Sequence, residues 1–270
     1  MLSSGRYNKV LVHFLDQNMW DVLKHHINNI EVITWIHGSD IQPWWRRKFN
    51  YEDKTEAELE PIKQASAKKE RFWKVLLDRT PENLSFFFVS QQFADEVMQD
   101  YGVKLPKNKY HIIHNYIDGN AFKYEEKHPD MRKKILSIRP FASKTYANDL
   151  TVKAILELSK EPWFDELSFT IIGDGVLFDE TTAPLKEFKN VRLEKRFLNQ
   201  QEIIQEHKKH GVFLVPTRMD TQGVSQGEAM SSGLVAITNN VAAIPEFCSD
   251  EDTMLVEPEN FKDLAIRVRE

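Results

Sequence analysis

The sequence predicts an α/β protein made of two Rossmann-like halves, each with a parallel sheet, facing a cleft. Three observations predict it. Short β-branched or aromatic runs alternate with helical patterns, the order expected when crossover helices join parallel strands. The strands are apolar throughout, as in a sheet covered on both faces. Between His111 and Arg132 the chain turns polar and irregular (HNYIDGNAFKYEEKHPDMR) before a new strand begins, which places a boundary near residue 121 and halves at 1–120 and 121–270.

In the first half, strands are expected at 10–14, 32–35, 86–89 and 111–113, each a short run such as VITW or FFFV. Helical patterns fall at 20–28, at 91–101, and across 56–77 as one long helix or a pair. In the second half, strands are expected at 135–138, 169–172, 191–193, 212–215 and 235–238, with helices at 149–159, 200–208 and 226–232. The sequence has no internal repeat and no low-complexity tract.

Composition narrows the class. Apolar residues make up 41% and charged residues 29% of the 270, ordinary for a protein with a real core. The net charge of -5 argues against nucleic acid as a partner. With Cys248 the single cysteine, no internal disulfide forms, which fits a reducing compartment. No apolar run approaches ~20 residues and the N-terminus lacks a signal-peptide core. A cytoplasmic protein is expected, or a peripheral one at the inner face of a membrane.

The richest stretch is VFLVPTRMDTQGVSQGEAMSSGLVAITNNVAAIPEF, from Val212 to Phe247. It reads as strand, polar loop, short helix, strand and loop, with Asp220 and Glu228 eight positions apart. The loop carries Gly223 and ends at a helix N-terminus, where unpaired N–H groups and the helix dipole favour an anion. Carboxylates on both sides of such a site suit a ligand with phosphates and sugar hydroxyls, and so a nucleotide sugar. Glu228, placed in the first turn, either complements the dipole or accepts two hydroxyls of a ribose. Asp220 would face the transferred sugar, and the amides near Gly223, Val224 and Ser225 would reach the pyrophosphate, with Gly223 allowing close approach.

Arg139 and Lys144 follow the strand at 135–138, where ligands of open α/β sheets bind. They are either solvated loop cations or the other half of a diphosphate site. IIGDG, with Gly173 and Asp174, ends a strand in a tight turn but lacks the dinucleotide fingerprint. His37 sits just past an apolar strand in VITWIHGSD; such a histidine is either structural or turned toward the cleft. PWWRRKF reads either as a membrane or acidic-acceptor patch, or as a solvated helix start whose tryptophans pack inward. Asp250 and Asp252 in SDEDT read as a polar loop rather than a metal motif, and no cluster has metal-site spacing.

These motifs resemble the family-4 retaining glycosyltransferases of the GT-B fold. That family has two glutamates separated by seven residues, the second in an EAM-x-x-G helix. Here EAMSSG supplies Glu228, and Asp220 stands at the first position. The family's G-R-x-x-x-x-K-G motif appears as SIRPFASKT, with Arg139 and Lys144 at the family spacing and Ser137, Ile138 and Thr145 replacing the small flanking residues. IIGDG matches its GDG turn, FFFVSQQFADEVMQDYG followed by HIIHNYID its inter-domain approach, and WIHGSD its acceptor-side HG segment. The resemblance implies Arg139, Lys144, Asp220, Glu228 and His37 as catalytic residues. For the donor it implies Gly173, Asp174, Phe197, Gly223, Val224, Ser225 and Glu228.

The implied activity is transfer of a sugar from a nucleoside diphosphate to a hydroxyl of a glycan or lipid-linked acceptor, with retention and no metal or other cofactor. Such enzymes serve cell-surface polysaccharide or glycolipid assembly. Asp220 is one methylene shorter than Glu. The family's opening strand with its glycine-rich loop and its closing cross-over helix have no counterpart here, so the N-terminal domain is expected to be incomplete. The chain is then a fragment, a truncated product or an abbreviated relative. A GT-B sugar-nucleotide epimerase and a non-catalytic donor-binding subunit are the alternative readings.

Overall fold

A computed structural model describes residues 5–248 and 253–270. Asp250 and Asp252 lie outside the described residues. The chain divides into two compact units, Met1–Asn115 and Tyr116–Glu270.

The first unit has a four-stranded parallel sheet in the order β1-β2-β3-β4, made of β1 (Lys9–His13), β2 (Glu31–Ile36), β3 (Leu84–Phe88) and β4 (Tyr110–Ile112). Consecutive strands are neighbours, so each connection is a crossover. The helices are α1 (Gln17–Leu23), α2 (Glu56–Asp78) and α3 (Gln91–Tyr101). The core is Val32, Ile36, Trp73, Phe86, Phe88 and Phe93 with their neighbours.

One expectation is corrected here and one alternative is decided. Helix α1 begins three residues earlier than expected, because Asp16 caps it by accepting the Met19 N–H at 2.8 Å, and it ends before the His- and Asn-rich turns at 25–29. Of the two readings of 56–77, the single long helix is the one that forms. A capping box between Thr55 and Glu58 starts it. Pro61 sits inside the helix without ending it, and Trp73, Leu76 and Leu77 anchor its far half. The PWWRRKF segment forms a 3-10 helix, Trp44–Asn50, whose cations are largely engaged: Arg46 is bidentate to Asp100 and Arg47 donates to Gln42. Trp44 packs against Tyr51 and Lys63, while Trp45 stays exposed beneath Arg46.

The second unit has a six-stranded parallel sheet ordered β10-β9-β8-β5-β6-β7. Its strands are β5 (Lys134–Ile138), β6 (Ser168–Gly173), β7 (Val191–Lys195), β8 (Val212–Leu214), β9 (Val235–Asn239) and β10 (Thr253–Val256). The helices are α4 (Asn148–Leu158), α5 (Phe178–Thr182), α6 (Gln200–Lys209), α7 (Val224–Ser231) and α8 (Phe261–Arg269). β5, β6, β8 and β9 are buried β-branched and aromatic runs. The sheet grows from β5 toward β7 and then resumes at β8 on the other side of β5. Ligands of such sheets bind at the carboxyl ends of the strands beside such a reversal, here those of β5 and β8. β10, α5 and α8 go beyond the elements expected from the sequence.

Candidate functional site

The loops leaving β5 and β8 meet at that reversal. Immediately after β5 comes Arg139, only 6% exposed. Its Nη1 donates to Ser225 Oγ at 3.0 Å, Nη2 lies 3.8 Å from Asp220 Oδ2, and the guanidinium sits 5.2 Å from the centre of the Tyr146 ring. Burial pulls the Arg139 pKa below its ordinary value, and Asp220 and Tyr146 work against that. A cation so enclosed interacts more strongly with a nearby anion than one in water. Its Nε is buried with no hydrogen-bond partner among the described residues.

After β8 the chain runs through 215–223 into α7. Asp220 Oδ1 accepts the N–H groups of Gly223 at 2.8 Å and of Gln222 at 3.2 Å, closing a turn with its own side chain. Gly223 follows at φ +82°, a left-handed conformation that L side chains rarely adopt. It is the N-cap of α7 and brings no capping side chain. The first in-helix bond is Gly227 N–H to Gly223 O, at 3.0 Å, so the amides of Val224, Ser225 and Gln226 have no acceptor inside the helix. The amide-rich end therefore forms as the sequence implies.

Because α7 starts at Val224, two residues before the expected 226, Glu228 is its fifth residue and not in its first turn. A dipole effect fades beyond the first turn, so dipole complementation does not account for this carboxylate. Ser225 and Glu228 are three apart and share a helix face. Among the described residues, the Glu228 carboxylate has no hydrogen-bond or ion-pair partner, and burial pushes its pKa above the usual range.

Lys144 opens a 3-10 turn, Lys144–Tyr146, that ends at Ala147 in a left-handed conformation, φ 46°. The same residue precedes α4, so a strained position aims the turn. Gly173 and Asp174 end β6 beside Arg139–Phe141. A Cβ on Gly173 would lie 1.9 Å from Arg139 O, and one on Gly175 2.2 Å from the Phe141 carbonyl carbon. Phe141 N–H donates to Asp174 O at 2.7 Å. The GDG turn is thus packed main chain to main chain on the arginine-bearing segment. Phe197 follows β7 and is 71% exposed.

Comparison with known proteins follows the same line. A family model described as glycosyl transferases group 1 matches residues 132–270, the segment holding all of these loops. The chain belongs to that family. No curated protein matches it in sequence. Among solved structures, TarM is similar with a TM-score of 0.68 and 15% identity, over 97% of this chain and 47% of its own. WaaG, described as a glycosyltransferase involved in lipopolysaccharide biosynthesis, gives 0.66 and 14%, over 93% and 72%. Anabaena Alr3699/HepE, solved in complex with UDP-glucose, gives 0.68 and 14%, over 99% and 69%. These likenesses show the fold, which is GT-B. The chain spans about half the length of TarM.

In this group 1 chain, His37 belongs to the first unit, one residue past β2. Its N–H and that of Gly38 donate to the Asp40 carboxylate, at 3.2 Å and 2.7 Å. β1 and β2 pair in parallel with His13 opposite Trp35, which brings His13 beside His37, and the two ring nitrogens lie 2.8 Å apart. Burial lowers the His37 pKa, Asp40 opposes this, and His13 adds to it. The neighbouring Phe14, at φ 56°, stacks on His37 with centroids 4.4 Å apart.

Two residues of the candidate site were not picked out from the sequence. Tyr146 faces Arg139, and Arg218 ties the loop after β8 to the turn after β5. Nothing in the local sequence marks Tyr146. The cation of T-R-M-D was visible but resembles any solvated loop arginine. Among the described residues no group of carboxylate, His and Cys side chains has metal-site geometry, and no helix is long and apolar enough to cross a membrane.

Proposed function

We propose that this chain carries the donor site of a retaining glycosyltransferase that moves a sugar from a nucleoside diphosphate to a hydroxyl acceptor. The observation that carries this reading is the buried Arg139 bonded to Ser225 in the first turn of α7, beside a helix end with unbonded amides. In it the diphosphate rests between the N-terminal amides of α7 and the cations Arg139 and Lys144. As the glycosidic bond breaks, charge grows on the departing diphosphate, and these fixed groups stabilise it electrostatically. No metal or other cofactor is assigned that task. Glu228, half-buried and unpartnered, accepts the two hydroxyls of the ribose. Asp220 faces the transferred sugar through Oδ2, Oδ1 being committed to the loop.

Attack by the acceptor on the face from which the diphosphate leaves gives retention, with a donor phosphate oxygen taking the proton. No enzyme nucleophile is assigned. His37 orients the sugar or the acceptor. The nearest use is assembly of a cell-surface polysaccharide or glycolipid at the cytoplasmic side, in line with the description of WaaG.

A thermal-shift screen of nucleoside diphosphate sugars tests the reading, since a ligand of the folded state raises its stability by mass action. A rise with one donor, followed by transfer to a glycan or glycolipid hydroxyl, is expected. Release of an altered sugar without any acceptor would instead identify an epimerase, and the absence of a shift with every donor would sink the proposal.

A further inference from the structure

We infer that Arg218 is a positioning residue that sets Lys144 by gripping the main chain of its turn. The inference rests on the reading of Lys144 as a diphosphate-binding cation. A guanidinium carries five N–H donors, and here all five are spent within the protein. Nε and Nη2 donate to Glu259 at 2.6 and 2.8 Å, Nη1 and Nη2 donate to Asp149 at 2.7 and 2.9 Å, and Nη1 donates to the Lys144 carbonyl at 3.0 Å. Nothing remains for a ligand. Arg218 therefore serves the site through other residues.

The same loop holds the next carbonyl. The Arg218 N–H donates to Thr145 O at 2.8 Å, and the Thr217 hydroxyl shares its proton between Thr145 O at 3.1 Å and Met219 O at 3.0 Å. Two successive carbonyls of the lysine turn are thus fixed by two successive residues of the loop that leads into α7. The turn cannot shift without breaking bonds in the loop bearing Asp220 and Gly223. Asp149, in the first turn of α4, and Glu259, just before α8, hold adjacent edges of the guanidinium and share its Nη2, and Glu259 does so from a left-handed backbone, φ 61°. The Arg218 side chain is 11% exposed, so these pairs are less screened than surface ones. Lysine offers three donors around a point charge and cannot reproduce the fork.

Calorimetric binding of UDP and GDP, used as probes, separates this role from bulk stabilisation. Arg218→Lys is expected to weaken diphosphate binding about tenfold or more. In a Lys144→Ala background the same change is expected to cost less than about twofold, because its route to the ligand has been removed. Equal losses in both backgrounds, or full affinity in Arg218→Lys, would overturn the inference.

A second measurement works without nucleotide. Hydrogen exchange at the Ala147 amide, bonded to Lys144 O at 3.1 Å, should rise at least about tenfold in Arg218→Lys while α3 is unchanged. An unchanged rate overturns the clamp. If the parent chain binds neither diphosphate, the exchange result by itself decides whether the clamp exists. Glu259→Gln, which leaves the Lys144 bond in place but loosens one side of the fork, is read in the same way if Arg218→Lys unfolds the second unit.

Discussion

Asp220 Oδ1 accepts the N–H of Gly223 at 2.8 Å, so the carboxylate that flanks the N-terminus of α7 also ties the turn that leads into it. This bond predicts different behaviour for two substitutions. Asp220→Ala loses the acceptor and should cost about 1 kcal/mol, a fall of roughly 2–4 °C in melting temperature. Asp220→Asn keeps an oxygen at the same place and should retain most of that stability while losing the charge 3.8 Å from Arg139. Thermal melts of both variants check this. A melting temperature for Asp220→Ala equal to that of the parent would rule out the capping role.

Lys144→Ala should leave the fold in place, because main-chain bonds to the Lys144 and Thr145 carbonyls hold the turn. Transfer should nonetheless drop by at least ~100-fold, the scale of losing one well-placed charge. The check is initial rates with saturating donor beside a thermal melt. Near-parental turnover would remove Lys144 from the site.

Glu228→Gln should separate stability from function. Burial raises the Glu228 carboxyl above its ordinary value with no partner to offset it. In the window between the two values the folded state holds more protons than the unfolded one, so stability falls as pH rises through it. The neutral glutamine escapes that penalty. At pH 7 the variant should melt slightly higher than the parent, by less than about 1 kcal/mol given that the side chain is half exposed, with the gain vanishing below the unfolded carboxyl value. Transfer should fall by at least ~100-fold. A lower melting temperature at pH 7 would contradict the unpartnered carboxylate.

His207 predicts the opposite slope. It is 1% exposed under α7, with Nδ1 3.0 Å from Ser232 Oγ, and burial lowers its pKa to about 4. A histidine kept neutral in the fold takes up its proton in the unfolded chain first, near 6.5. Stability is therefore intact above pH 6.5 and drains away as pH falls toward 4, by an amount on the order of 3 kcal/mol. Urea titrations of the second unit's unfolding at pH 7 and pH 5 measure it. His207→Gln should flatten the difference, and an equally steep dependence in that variant would place the proton elsewhere.

Much of this was legible before any coordinates. Buried runs such as those of β2 and β6 announce parallel strands, and the alternation with helices carries the α/β class. Gly223 ahead of a short helix announces the amide-rich end. What the sequence hides is adjacency made by topology. Arg139 and Ser225 lie 86 positions apart and meet because β5 pairs with β8 across a reversal in strand order, which no local period encodes. Arg218 was hidden for a related reason, since its partners come from α4 and from the segment before α8. The boundary errors have local causes: Asp16 outcompeted a helical pattern that continued into poor helix formers, and Gly223 started α7 early enough to carry Glu228 beyond the first turn. β10 and α8 are a four-residue strand and a nine-residue helix that follow an acid-rich stretch, where the sequence reads as a polar loop.

The contact between Gly173, Gly175 and the 139–141 segment bears on altering donor choice by mutation. Any side chain at either glycine would drive into main chain, and any change in the main chain of 139–141 would push back on the end of β6. Selection for new donors should therefore leave these two segments untouched and accumulate changes around them. Val176 and Phe197, 86% and 71% exposed at the ends of the two neighbouring strands, are the natural positions to randomise, because substitutions there meet solvent before they meet the scaffold.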